Sequence, residues 1–312
     1  MGHLTSRPYA GPADFERTID LVRVCRAEER VDPWPPLYEL RQHLRAGDAG
    51  AGCQLWEARS GHLAAFATIW EGATLLAAVH PQAECEDLDE QVLGWGLARA
   101  RGMARQYGEQ SALLVPALDD DRRAAELLER HGFRREDWAI LRMARRLDEP
   151  FAEPALPPGF ALRPATSEFD LAAVEALHQE VFVAGATLAR DRLAPERDAE
   201  DFRASDLVVV APGGELAAFC LCSTGRECGS RHDARDGWID LVGTRPAYRR
   251  RGLGRVALLA GLRQLQQYGA QVALLGTTSW NARAQLLFES AGFRLLHQVR
   301  WYAWEDGQRP AL

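Results

Sequence analysis

Long apolar runs are missing from this sequence, and none approaches the ~20 residues that a membrane-crossing helix needs. The segment from Met1 to Asp20 also lacks the apolar core of a signal peptide. Cysteine is scarce, and the six cysteines fit no zinc-ligand spacing. They are Cys25, Cys53, Cys85, Cys220, Cys222 and Cys228. We therefore expect a cytoplasmic protein with no metal site, in which the cysteines are small buried residues.

Basic residues are not in excess either. Lys and Arg number 37 against 44 Asp and Glu, which gives a formal net charge of −7. A nucleic-acid groove needs the opposite balance, so we expect neither a nucleic-acid nor a membrane partner. The chain has 312 residues, 47% of them hydrophobic and 26% charged, which is ordinary for a globular protein. This length is sufficient for two domains, each with its own core.

An internal repeat predicts how those domains are arranged. The segment Gln106–Leu114 recurs at Gln267–Leu275, and the pattern from Asp121 to Arg134 recurs from Asn281 to Arg294. A proline-rich, acidic linker, Leu147–Gly159, lies between the two copies. The sequence therefore predicts two tandem domains, residues 1–150 and residues 151–312.

The second copy predicts alternating strands and helices. Leu258, Leu262 and Leu265 have helical spacing, and Gly269 follows as a stop signal. The predicted elements are a helix at Phe169–Val183, strands at Leu207–Val210 and Glu215–Ser223, a strand at Trp238–Thr244, a helix at Gly252–Tyr268, a strand at Val272–Gly276, a helix at Asn281–Ala291 and one or two strands within Phe293–Trp304. This order predicts a mixed α/β fold containing two parallel strands, each followed by a helix.

The junction before the long helix has the features of an anion site. Gly252 and Gly254 open the helix, where backbone N–H groups are unpaired and the helix dipole is positive. Three arginines, 249–251, precede them. Together these features predict a pocket for a polyphosphate, although an arginine run can also be a solvated surface. A dinucleotide fingerprint is disfavoured, because seven residues separate the strand from Gly252 and the next strand carries no acid.

Two motifs in the second copy resemble those of the GNAT acetyltransferase superfamily. They are V-x-x-x-P-x-Y-R-x-x-G-x-G from Val242 to Gly254, and N-x-x-A-x-x-L-F-x-x-x-G-F from Asn281 to Phe293. The resemblance implies two tandem GNAT-like domains, similar in layout to mycothiol-synthase-type enzymes. Each would have a mixed, mostly antiparallel sheet with a splayed parallel strand pair, flanked by helices.

The resemblance also implies acetyl-CoA as co-substrate. Backbone groups of Val242, Gly243 and Thr244 would bind the pantetheine arm and the acyl group. Asn281 would bind the pantetheine, unless it serves as a helix cap. The pyrophosphate would be held by amides of the loop, namely Arg249, Arg250, Arg251, Gly252, Leu253, Gly254 and Arg255.

The implied reaction is direct attack of an amine on the thioester. We expect Asp240 to be the base, with Glu227 and Asp233 as alternatives. Where the family commonly has a tyrosine that acts as the acid, this chain has Phe288. The resemblance leaves Phe288 as an expected cofactor contact. Tyr302, or solvent, is the substitute acid. The acceptor is expected to be a small-molecule amine, bordered by residues 184–201.

The first copy lacks the features of the anion pocket. The repeat aligns Leu88–Leu93 with Arg249–Gly254, so both glycines are absent and acids, Asp89 and Glu90, replace two arginines. We therefore expect no coenzyme A site there, and a structural role that extends to shaping the acceptor cleft. Three functions stay open: an N-acetyltransferase, a non-catalytic acyl-CoA-binding or sensing protein, and a binder of a different anion or dinucleotide. The chain is expected to be a monomer or a homodimer.

Overall fold

The structure is a computed structural model that describes residues 4–27, 37–45, 52–70, 73–83, 86–107, 112–165, 168–182, 203–224 and 236–305. These residues form two compact units. The first contains described residues of Met1–Ile140 and His297–Leu312, and the second those of 141–229 and 233–296. None of the described helices is both long enough and apolar enough to cross a membrane.

The first unit is a mixed sheet with a buried core on each face. Its elements are β1 (Thr5–Pro8), α1 (Pro12–Ala27), α2 (Leu37–Arg45), β2 (Cys53–Glu57), β3 (Leu63–Trp70), β4 (Thr74–Val79), α3 (Glu86–Tyr107), β5 (Ala112–Leu118), α4 (Arg122–Arg130) and β12 (Arg294–Glu305), which belongs to it from His297 onward. The strand order is β1-β2-β3-β4-β5-β12. β4 and β5 run parallel, whereas the pairs β1–β2, β2–β3, β3–β4 and β5–β12 are antiparallel.

The second unit has the same plan. Its elements are β6 (Arg134–Arg146), which belongs to it from Leu141 onward, β7 (Ala161–Pro164), α5 (Glu168–Val181), β8 (Arg203–Val210), β9 (Leu216–Thr224), β10 (Asp236–Thr244), α6 (Leu253–Gln267), β11 (Val272–Thr278) and α7 (Ala282–Ser290). The strand order is β6-β11-β10-β9-β8-β7, and β10 and β11 run parallel. The expected fold, a mostly antiparallel mixed sheet with one parallel strand pair, is confirmed in both units.

The last strand of each sequence copy does not stay with the rest of its copy. β12 pairs with β5 of the first unit over seven residues, from Val299↔Leu118 to Glu305↔Ala112. The later half of β6 belongs to the second unit, and Leu147 just beyond it donates its N–H to the carbonyl of Gln271 at 2.8 Å. The chain therefore does not divide into its two units at a single point. The expected linker, 147–159, contains no helix or strand.

The repeat is visible in local hydrogen bonds. Asp121 and Asn281 each begin a nine-residue helix and accept a bond from the N–H three residues later, at 2.9 and 3.2 Å. Gly132 and Gly292 end these helices with φ of 82° and 87°. Both glycines belong to a Schellman cap, a 6→1 hydrogen bond that closes a helix through a left-handed residue. The same residue types at equivalent positions thus form the same structure in both copies.

Buried side chains also follow the expectation for the cysteines. Cys25, Cys53, Cys220 and Cys222 lie in the buried cores, and none of these four forms a disulfide. Cys85 and Cys228 lie outside the described residues.

Candidate functional site

The site in the second unit lies where two parallel strands separate. β10 pairs with β11 from Asp236 to Trp238, and its later residues pair with β9 on the other side. The register with β9 shifts between Ile239 and Leu241, which marks a β-bulge at Asp240. A bulge bends its strand and re-aims a side chain, so it accounts for the divergence of β10 from β11.

The end of β10 is shaped by close packing around a glycine. A Cβ on Gly243 would lie 2.4 Å from the ring of Phe219, which is fully buried. A side chain on Gly254, in the first turn of α6, would meet Thr244 Oγ1 at 3.0 Å. Gly254 therefore lets the helix start approach the end of β10, and Gly243 leaves room for the ring of Phe219 on β9.

The loop between β10 and α6 presents backbone N–H groups. After a short 3₁₀ turn at Pro246–Tyr248, Arg250 and Gly252 both have positive φ, 65° and 80°. The first bond into the helix is from Val256 N–H to the Gly252 carbonyl at 3.0 Å, so the N–H groups of Leu253, Gly254 and Arg255 precede it. Left-handed residues next to a helix start form a concave anion-binding backbone.

Side chains hold this loop in place. Arg245 pairs with Glu180 at 2.8 Å and with Glu215 at 3.1 Å. Tyr248 donates to Glu215 at 2.8 Å, which raises the pKa of its phenol, and its ring lies under the Arg251 guanidinium. Arg249 Nε donates to the Thr244 carbonyl at 3.2 Å. Arg245 and Glu215 are supporting residues that sequence reasoning missed, because their contacts join distant segments.

The second motif lies on α7 beside the loop. Asn281 is exposed and caps the helix, and Leu287 lies 3.7 Å from where a Cβ of Gly254 would be. Phe288 is 8% exposed and packs edge-on against Phe293, with ring centroids 6.1 Å apart. The structure thus gives Asn281 a capping role, and Phe288 a place in the buried core of this unit.

The two expected catalytic residues belong to different units. Asp240 is half-buried at the bulge of β10 in the second unit. Tyr302 lies in the core of the first unit, 4% exposed and opposite Val115 of β5. Its pKa is raised, mainly by burial and then by Glu129. From His297 onward β12 belongs to the first unit, and Tyr302 is a core residue there.

Glu227, Asp233 and the segment 184–201 lie outside the described residues. The first-copy segment Leu88–Leu93 lies within α3, which begins earlier, at Glu86. Its acids are ion-paired, Asp89 with Arg123, and Glu90 with Arg130 at 3.5 Å. The alignment with a loop is therefore corrected: this segment is helical.

The sequence matches the profile of one protein family and several curated proteins. The acetyltransferase (GNAT) family profile matches residues 171–293. A mycothiol acetyltransferase of Pseudarthrobacter chlorophenolicus is 30% identical over 253 residues, which cover 77% of this chain and 72% of that protein. Another, from Arthrobacter sp. strain FB24, is 29% identical over 94% of this chain and 92% of its own length.

Solved structures share the fold over nearly the whole chain. A GCN5-related N-acetyltransferase from Sphaerobacter thermophilus superposes with a TM-score of 0.71 at 22% identity, covering 97% of this chain and 95% of that one. A tandem GNAT protein from the clavulanic acid biosynthesis pathway gives 0.72 at 18% identity, with 98% and 100% covered. At these identities the likeness concerns the fold alone.

Proposed function

This chain belongs to the GNAT family of acetyltransferases and is an N-acetyltransferase, and we propose that it transfers the acetyl group of acetyl-CoA directly to the amine of a small molecule. GNAT enzymes use acetyl-CoA as co-substrate, so the site must hold a pyrophosphate and a thioester. The loop and strand end of the second unit have the chemistry for both.

The observation that carries the proposal is the backbone around Gly252. Its positive φ directs the chain into α6 so that the N–H groups of Leu253, Gly254 and Arg255 precede the first helical hydrogen bond. These donors, the helix dipole and the neighbouring arginines would hold the pyrophosphate. The end of β10, at Val242 to Thr244, would bind the pantetheine and the acyl group. Asn281 caps the helix α7, and contact with the pantetheine would be a second role for its side chain.

The reaction needs a neutral amine. Its nitrogen attacks the thioester carbonyl, a C–N bond replaces the C–S bond, coenzyme A leaves as a thiolate, and the nitrogen loses a proton. For an amine of pKa ~10.4, deprotonation at pH 7 costs about 4.6 kcal/mol. A carboxylate that accepts the proton, directly or through water, offsets this cost. Backbone N–H groups stabilise the oxyanion.

Asp240 is the base that we propose. It is the bulged residue of the strand that leads to the acyl end of the site, and a bulge directs a side chain away from the regular alternation. Phe288 offers no acidic proton, so solvent protonates the thiolate, which is a modest base of pKa ~8.5.

The coenzyme A site is proposed for the second unit alone. In the first unit the helix α3 begins at Glu86 and carries Asp87, Asp89 and Glu90 in its first turns. Acids at a helix start occupy the position that phosphate would take and repel it. We keep the proposed functional division at residue 150, with a degenerate first domain, although β12 completes the sheet of the first unit.

The proposal is tested by acetyl-CoA-dependent thiol release with a panel of small amines. The curated relatives are named mycothiol acetyltransferases, so des-acetyl mycothiol belongs in the panel. Amine-dependent release with a matching acetylated product is the expected result. Saturable acetyl-CoA binding with no turnover across the panel would favour the sensing alternative, and absence of binding would remove the assigned pocket.

A further inference from the structure

The first unit contains a cleft at the place equivalent to the site of the second unit. β4 and β5 pair at Thr74↔Leu114 and then diverge, and a cavity of about 610 Å³ opens between them. Volumes of about 300–1,000 Å³ are typical of small-molecule sites. The walls are mainly apolar and come from four elements, with Leu75 and Val79 on β4, Val92 and Leu93 on α3, Val115 on β5 and Leu127 on α4.

This cleft differs from an acyl-CoA site in its backbone as well as its charges. Leu114 donates its N–H to the carbonyl of Ala73 at 2.8 Å, so its N–H points toward β4. Backbone N–H groups alternate in direction along a strand, so every second N–H of β5 from Leu114 onward would point into the opening. The next such position is Pro116, which has no N–H and lines the cavity. The register of β3 with β4 runs without a shift from Ala65↔Val79 to Trp70↔Thr74, so the bulge of β10 has no counterpart here. An extended amide chain would find fewer partners in this cleft.

The polar groups of the cleft favour a cation. Three carboxylates and one guanidinium line it, those of Asp89, Asp120, Asp121 and Arg123. Arg123 is already paired with Asp89, and Asp121 accepts the N–H of Ala124 at 2.9 Å. Within the described part of the chain, no side chain or backbone group bonds to the Asp120 carboxylate. The exposed carboxylate of Asp120 therefore stands without a partner among the described residues, at the edge of a cavity that is lined mainly by apolar side chains.

We propose that the cleft of the first unit, between β4, β5, α3 and α4, binds a primary amine with an apolar body, its ammonium on Asp120 and its hydrocarbon against the leucine and valine walls. The ammonium pairs with the exposed Asp120 carboxylate, and the hydrocarbon is removed from water by the walls. The acids of α3 disfavour a phosphate-bearing ligand. The site is separate from acetyl transfer in the second unit.

The test uses the full chain and hexylamine as the probe, with hexan-1-ol and hexanoate as neutral and anionic counterparts. Binding is measured by isothermal titration calorimetry. Asp120→Asn removes the charge, Ala77→Phe fills the cleft from β4, and Asp137→Asn on β6 is the matched control, an exposed carboxylate that does not line the cleft. Thermal unfolding and acetyl transfer are recorded for each variant as checks of folding.

We expect one hexylamine per chain in this cleft, bound about tenfold more weakly by Asp120→Asn and unchanged in Asp137→Asn. Ala77→Phe should abolish this binding while leaving acetyl transfer unchanged. Three results would overturn the proposal: no saturable binding, equal affinity for hexanoate or hexan-1-ol, or binding that survives both Asp120→Asn and Ala77→Phe. The last result would place the amine in the acceptor site of the second unit.

Discussion

The guanidinium of Arg145 donates from Nη1 to the carbonyl oxygen of Ala291, at 2.5 Å, and so joins the end of β6 to the C-terminal cap of α7. A second nitrogen donates to the Pro150 carbonyl at 3.0 Å, and the guanidinium lies over the ring of Phe151. Burial lowers the pKa of Arg145. A residue of the first sequence copy thus secures the helix that carries the second GNAT motif.

Gly292→Ala should destabilise the protein more than Gly132→Ala does. Both glycines have positive φ and end equivalent helices, so each substitution costs roughly 1–2 kcal/mol of backbone strain. A Cβ on Gly292 would also lie 1.6 Å from Arg145 Nη1, whereas on Gly132 the nearest atom is Trp304 Cδ1 at 3.9 Å. We expect a total loss of roughly 2–5 kcal/mol for Gly292→Ala, because the strain is added to the loss of the Arg145 bond to the Ala291 carbonyl. Urea denaturation measures both, and equal losses would contradict the role of Arg145.

Gly252→Ala should raise the KM for acetyl-CoA about tenfold. The substitution strains the left-handed N-cap and turns the N–H groups of α6 away from the pyrophosphate. Gly269→Ala is the matched control, since Gly269 has φ of 88°, open space around its Cβ position and a place at the other end of the same helix. Steady-state kinetics should show its KM unchanged. A similar rise in both variants would mean that helix stability, not the loop, controls binding.

Much of the second unit could be predicted because its signals are local. Gly252 and Gly269 mark the ends of α6, and Asn281 and Gly292 mark those of α7. The bulge at Asp240 could not be predicted, because an extra residue is defined only against the partner strand β9. The unit to which most of β12 belongs was equally hidden, because its alternation of side chains fits either copy. The place of Tyr302 in the core of the first unit therefore could not be predicted.

Asp240→Asn should lower kcat/KM for the amine by a factor of about 10² or more near neutral pH. The amide cannot accept the proton, so the loss should shrink as pH rises and more of the amine is already neutral. The KM for acetyl-CoA should stay within a factor of about two, because the pyrophosphate loop is untouched. A pH–rate profile of both proteins checks this. A loss that is constant from pH 6 to pH 10 would point to a structural role for Asp240.

Asp14 should make the first unit sensitive to acid. Its buried carboxylate accepts two bonds of 2.6 Å from Arg7 and one of 2.8 Å from the Ala10 N–H. The Arg7 hydrogen bonds hold the pKa of Asp14 below its usual value of 3.8. The folded pKa lies below the unfolded one, so this stabilisation is present above about pH 4 and is lost as pH falls toward the folded pKa.

Asp14→Asn should therefore cost about 3 kcal/mol at pH 7 and flatten the dependence of unfolding free energy on pH below 4. Urea denaturation between pH 2.5 and pH 7 measures this. Asp20→Asn, at an exposed carboxylate of the same helix, should change the stability by less than about 0.5 kcal/mol. An unchanged acid limb in Asp14→Asn would assign the acid sensitivity to other carboxylates.

The pairing of β5 with β12 has a consequence for synthesis on the ribosome. Ala112 and Glu305 are partners in one ladder, yet nearly two hundred residues separate them in the chain. At about 5–20 residues per second, roughly 10–40 seconds pass between the translation of the two strands. Throughout that interval the nascent first unit has an open β5 edge, which is a template for unwanted strand pairing. Codon pace and chaperone access over the second half of the message should therefore govern the yield of the first half of the protein.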